Sequence, residues 1–162
     1  MHQSLNLWVS KSSWRSMHEE ADGSYPLETG GILAGYWAES GEAVVQCVSG
    51  PGSNADKKTD HFSPDYDYQE RWIAELYALS GGDYTYLGDW HSHPGDRAGN
   101  LSRLDVSVAQ KIASFEPARV HSPLMMLLFG TAEAWSVKCW AGRRRWLGFR
   151  SMKMVELDIQ LF

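Results

Sequence analysis

GDWHSHPGDRAGNLSRLD, residues 88–105, decides how the rest of the chain is read. It continues an apolar and aromatic run that begins at Tyr84, which predicts a β-strand over 84–90. Side chains two apart on a strand point the same way, so His91 and His93 present both rings on one face at the strand's end. Pro94 has no amide hydrogen for a ladder and predicts the stop. The loop GDRAGN carries two glycines and can turn back sharply. Ser102 and Asp105 then open a helix predicted over 104–115.

Two readings compete for these residues. Ser-x-x-Asp before an apolar run is a capping-box pattern, and a partly buried histidine is common in any fold. Against that, neutral imidazole is a good zinc ligand, and Asp105 can supply a third donor. Two histidines and one carboxylate leave a fourth tetrahedral position for water, the layout of a hydrolytic site rather than a closed structural one. Five fixed residue types at these offsets arise by chance in roughly a few per ten million windows. That favours a metal site, and a capping role for Ser102 does not exclude it.

The flanks fit one mixed α/β domain with a central sheet and about three helices. SKSSWRSMHEEA, 10–21, predicts a first helix capped by Ser12 or Ser13 and ended by Asp22-Gly23. SYPLETGG follows as a turn. Short apolar runs at 32–37 and 43–48 predict strands, with a polar loop over 51–60. Ser63-Pro64 predicts the start of a second helix, whose stripe is Trp72, Ile73, Leu76 and Leu79 and whose stop is Gly81-Gly82. Stretches 124–129 and 134–140 form a hairpin across Gly130-Thr131. Two more strand-like stretches follow. In the last, Val155, Leu157, Ile159 and Leu161 alternate with polar residues, so one face is buried.

Composition bounds the function. At 162 residues, 43% hydrophobic and 22% charged, the chain has the make-up of a globular domain able to bury a core. A formal charge of −5 argues against a general nucleic-acid binder. The basic cluster Arg143-Arg144-Arg145 reads as a solvated turn. Most of the eight tryptophans read as core, with some able to line a peptide groove. Cys47 and Cys139 are far apart and read as two buried thiols in a reducing compartment. MHQSLNLWVSKSSW lacks a signal-peptide layout, and LMMLLF, 124–129, is too short to span a bilayer. A cytoplasmic protein with no membrane partner is expected.

His91-Ser92-His93-Pro94, seven residues, Ser102, two residues and Asp105 resemble the signature of the JAB/JAMM metalloproteases, also called MPN domains. Their pattern also asks for an upstream glutamate, and Glu28-Thr29-Gly30-Gly31-Ile32-Leu33-Ala34-Gly35 is similar to that segment. The likeness runs from the first helix to about Trp140 and is to the minimal prokaryotic type. It implies a single domain over 1–162 with a cytidine-deaminase-like mixed sheet. It implies one Zn²⁺ on His91, His93 and Asp105, Glu28 as the group that takes the water's proton, and Ser102 as a donor to the oxyanion. It further implies an (iso)peptidase that cleaves after the C-terminal tail of a ubiquitin-like protein, acting on its conjugates or precursor. GDWHSHP, and the stretch from the GPG loop to the FSPD helix, look most like members found with ubiquitin-like conjugation enzymes in bacterial antiphage defence. The tail would add as an extra strand, with 32–37 and 95–100 as walls. Asp89 could orient a ring N–H or form an ion pair. Trp90 reads as core, and His61 as a loop or cap-region histidine. His18 and His121 carry no motif. A sulfur-carrier-adduct or small-peptide hydrolase is the alternative within the class, and a non-catalytic MPN scaffold lies outside it. Neither HExxH nor the His-x-Glu with Pro-Cys-x-x-Cys of zinc deaminases occurs.

Overall fold

The computed structural model describes residues 6–144 and 152–162. Seven strands form one strongly curled mixed sheet: β1 (Asn6–Val9), β2 (Gly30–Trp37), β3 (Ala43–Val48), β6 (Thr85–Pro94), β7 (Leu124–Thr131), β8 (Ala134–Arg144) and β9 (Met152–Leu161). Their order is β1-β3-β2-β6-β7-β8-β9, and β9 pairs back onto β1 in parallel. A two-stranded ribbon joins β4 (Asp56–Lys57) to β5 (Phe62–Ser63). The helices are α1 (Lys11–Ser24), α2 (Tyr66–Leu79) and α3 (Arg103–Ser114), with a short 3-10 turn over Glu116–Ala118. The expected α/β class with about three helices is what the chain forms.

β7 shows why the sheet sits where it does. Leu124, Met126 and Leu128 join the cluster built on Leu7, Met17 and Leu33, while Leu127 and Phe129 join Trp140 on the other face. A strand buried on both faces reads as a continuous apolar run, which is what LMMLLF is. Trp90 is buried at 1% exposure on the α1 side, and its indole N–H donates to the Ser49 carbonyl at 2.9 Å. Its neighbours His91 and His93 therefore face the side that carries α2 and α3.

Several boundaries differ from expectation. Ser10, not Ser12 or Ser13, caps α1 by accepting from the Ser13 amide at 3.2 Å. Asp22-Gly23 does not end the helix. Asp22 Oδ1 accepts from Trp135 Nε1 at 2.7 Å and from the Glu133 amide at 2.8 Å, and this tertiary anchor holds the last turn in place. Asp65, not Ser63, caps α2, accepting from Tyr68 N at 3.1 Å; Ser63 is instead in β5 and Pro64 precedes the cap. The α2 stripe is only half-buried, and Leu79 is exposed. β1 escaped the sequence reading because it is four residues long, although Leu7 and Val9 alternate with Asn6 and Trp8 as a strand should. Arg143 and Arg144 extend β8 opposite Lys153 and Met152 rather than forming a turn; Arg145 and the first of the two late strand-like stretches lie outside the described residues. Cys139 is buried, Cys47 is half-buried, and both are free thiols. No helix is long and apolar enough to cross a membrane among the described residues.

Candidate active site

β6 and β7 run parallel, so the chain must cross over between them, and α3 is the crossover. The strand's C-terminal end and the helix's N-terminal turn are thereby brought together. Ser102 closes a full capping box: the Asp105 amide donates to Ser102 Oγ at 3.1 Å, and the Ser102 amide donates to Asp105 Oδ2 at 2.6 Å. The box fixes the Asp105 carboxylate and leaves its other oxygen towards the histidines.

His91 Nε2 lies 3.2 Å from Asp105 Oδ1 and 3.1 Å from His93 Nε2, and His93 Nε2 lies 4.0 Å from Asp105 Oδ2. Donors about 2.05 Å from a tetrahedral zinc ion are about 3.3 Å apart along an edge; the two separations from His91 Nε2 match that spacing, and the 4.0 Å from His93 to Asp105 Oδ2 is wider than it. These three residues form the one His/Cys/Asp/Glu group suited to a metal among the described residues. Burial, with the neighbouring His91, pushes His93 below the usual histidine value, which favours the neutral, ligating ring. Burial works to raise Asp105, but the His91 ring and the Ser102 bonds outweigh it and bring the carboxyl to about 2.

The expected glutamate is placed by β2. Gly30 is the register partner of His91, and antiparallel pairing carried two residues back puts Glu28 opposite His93 on the same face. Thr29 and Ser92, between them, exchange two hydrogen bonds on the far side. The Glu28 amide donates to the Lys58 carbonyl at 2.7 Å. Gly30 must lack a side chain: a Cβ there would lie 2.3 Å from the Trp90 carbonyl oxygen and 2.7 Å from the Phe62 ring. Half-burial pushes Glu28 up to about 7, against the pull of His91, so it can both accept and return a proton near neutrality.

Glu28, His91, His93, Ser102 and Asp105 all border one groove of about 770 Å³. The segment 59–64 and Tyr66 form one wall, and Leu104, Val108 and Ile112 of α3 another. The expected walls need correction. β2 is paired on both sides over 33–35, by β3 and β6, so no strand can be added there; Ile32 of 32–37 and Asp96 of 95–100 are the residues of those stretches that border the groove. Asp89 does not bond either ring among the described residues. It accepts from the Tyr86 hydroxyl at 2.9 Å, and burial raises it to about 6. Asp96, which the sequence reading passed over, lies nearer to the ring-orienting role expected of Asp89: it is 3.8 Å from His93 Nδ1 and accepts from the Ala98 and Gly99 amides. The Asp-x-x-Gly turn pattern was its only signal. His61 is an exposed loop residue that borders the groove, and α2's cap lies four residues on.

Residues 10–142 match the family model described as prokaryotic homologs of the JAB domain. A Sinorhizobium fredii protein named probable metalloprotease y4qB is 34% identical over 158 residues, covering 96% of each chain. A Vibrio cholerae protein named CD-NTase/cGAS isopeptidase is 27% identical, over 76% of this chain and 71% of its own. An Escherichia coli protein of the same name is 28% identical, over 76% and 72%. The solution structure of DSY2949 from Desulfitobacterium hafniense shares the fold, with a TM-score of 0.68 at 21% identity over 96% of this chain and 92% of that one.

Proposed function

The chain belongs to the prokaryotic JAB-domain family and is a JAB-type hydrolase, and on that premise we propose that it is a zinc (iso)peptidase acting after the C-terminal tail of a ubiquitin-like protein. The observation that carries the reading is the convergence of His91, His93 and Asp105 with Glu28 and Ser102 on one groove.

His91, His93 and Asp105 would hold the ion. A zinc ion there supplies Lewis acidity, lowering the pKa of a coordinated water towards about 7. Glu28, on the same face as the histidines, takes the proton of the attacking water and returns it to the leaving nitrogen. Ser102 Oγ accepts from Asp105 N with a lone pair, so its hydroxyl hydrogen is not spent on the cap and can be donated to the carbonyl oxygen as it gains charge. The apolar groove wall takes the extended tail.

The isopeptidase names of two relatives support a lysine-linked amide as the bond cleaved; the ubiquitin-like protein and the setting in bacterial antiphage defence rest on the resemblance of the sequence motifs. The test is a pull-down of Glu28→Ala from the native cell, read by mass spectrometry. A ubiquitin-like protein joined through lysine to a target supports the reading and names both. A C-terminally extended carrier alone points to precursor or sulfur-carrier processing. Neither, with the chain expressed, removes the substrate class.

A further inference from the structure

β6 carries an irregularity that the metal ligands do not require. Its pairing with β2 runs Leu33↔Gly88 and then Ala34↔Tyr86, so Leu87 is an extra residue and the strand bulges. A bulge breaks the alternation of side chains. Regular alternation would turn Tyr86 away from the face bearing Asp89, His91 and His93. The bulge brings it onto that face, where its hydroxyl donates to Asp89 Oδ1 at 2.9 Å. Gly88 permits this: its φ is +154°, and a Cβ there would lie 2.0 Å from the Leu124 carbonyl oxygen.

Tyr86 and Asp89 border the groove together with the apolar side chains of Ile32, Val108, Ile112 and Met125. A half-buried carboxylate among apolar walls is costly without a cation. Among the described residues no lysine or arginine pairs with Asp89; the lysine pairs are Lys57 with Glu20 and Lys58 with Asp56. Acids dominate the rest of the groove, where Asp60 and Asp96 join the site carboxylates against Lys111 and His61. A strand advances about 3.3 Å per residue, so Asp89 lies roughly 7 Å along β6 from His91, two or so residues of an extended peptide.

Resting on the hydrolase reading above, we propose that Asp89, aimed by Tyr86, is the specificity-determining residue of a subsite for an arginine or lysine side chain of the substrate, two to three residues from the scissile bond. The aliphatic stem lies along the apolar wall and the cation meets the carboxylate.

The test is selection of a randomised peptide library on zinc-loaded Glu28→Gln protein, repeated with Asp89→Asn, Asp89→Lys and Tyr86→Phe in that background, each checked for zinc content and thermal midpoint. The bound pool should be enriched about tenfold in arginine or lysine at one position, the scale of one desolvated charge pair. Asp89→Asn should abolish the enrichment, Asp89→Lys should turn it towards acidic residues, and Tyr86→Phe should weaken it. No bound pool, a pool without basic enrichment, or enrichment that survives Asp89→Asn overturns the subsite. Cleavage of the selected peptides by the wild type is read separately. Peptides that bind with basic preference but are not cleaved count against the hydrolase reading and leave the subsite standing.

Discussion

Thr29 and Ser92 are joined twice: the Thr29 amide donates to Ser92 Oγ at 3.0 Å, and the Ser92 amide donates to the Thr29 carbonyl at 2.8 Å. Both residues are fully buried. Each stands beside a residue of the candidate site, Thr29 next to Glu28 and Ser92 between the histidines. The pair therefore sets how far the carboxylate stands from the two histidine rings. Thr29 is braced in turn by Glu20, whose Oε1 accepts from the Thr29 hydroxyl at 2.8 Å.

Ser92→Ala removes the acceptor and leaves a buried amide N–H without its partner, a cost of about 1–3 kcal/mol. The expected outcome is a lower thermal midpoint with zinc still bound, and a fall in kcat larger than the rise in KM. A variant with unchanged turnover and stability would show that the clamp does not position Glu28.

Glu28 gives a pH signature with a definite sign. Its ordinary value of 4.5 is raised to about 7 in the fold by burial. The protonated form is therefore favoured on folding. The stability it contributes is fully present below 4.5 and is lost as pH rises through about 7. In chelator, Glu28→Gln is expected to melt above the wild type at pH 8 and together with it at pH 4. With zinc bound, the nearby dication pulls the carboxyl down, so the rising limb of kcat/KM should have its midpoint below 7. Equal melting differences at both pH values would contradict the burial argument.

Ser102→Ala tests two roles at once. Loss of the cap is expected to lower stability by about 1 kcal/mol, and loss of the oxyanion donor to lower kcat by about 100-fold or more. Ser102→Thr keeps a hydroxyl and an acceptable cap, so it should restore much of both. If alanine lowers only stability, Ser102 is a helix cap and no more.

Gly30→Ala should be severe for a substitution of one methyl group, because the new carbon would meet the Trp90 backbone and the Phe62 ring. Backbone cannot yield as a flexible side chain can, so β2 must shift off β6 and carry Glu28 with it. The expected result is a loss of both stability and turnover, measured by thermal unfolding and by cleavage. Wild-type behaviour would mean that the β2–β6 approach is looser than these distances indicate.

What the sequence made legible follows from distance along the chain. His91, His93 and Asp105 span fifteen residues, and strand alternation with a helix start is enough to foresee their meeting. Glu28 lies far upstream, and only the resemblance named it; the clamp that places it, Thr29 with Ser92, has no local signal. Asp22 changed the end of α1 through bonds to Trp135 and Glu133, partners no local pattern reveals, whereas Asp65 caps α2 through the local Tyr68 amide and was passed over in favour of Ser63. The groove was misjudged because strand order is not written in any one strand. The run at 32–37 reads as a strand, but nothing in it says that both of its edges are already paired. The bulge at Leu87 likewise depends on the partner strand, and so Tyr86 went unnoticed.

The most direct measurement is calorimetric titration of zinc into chelator-stripped protein, with wild type beside Asp105→Ala. One ion is expected to bind per wild-type chain, with binding weaker by about 100-fold or more once the carboxylate is gone. Equal binding by the two proteins, or none by the wild type, would contradict the assignment of His91, His93 and Asp105 as a zinc site.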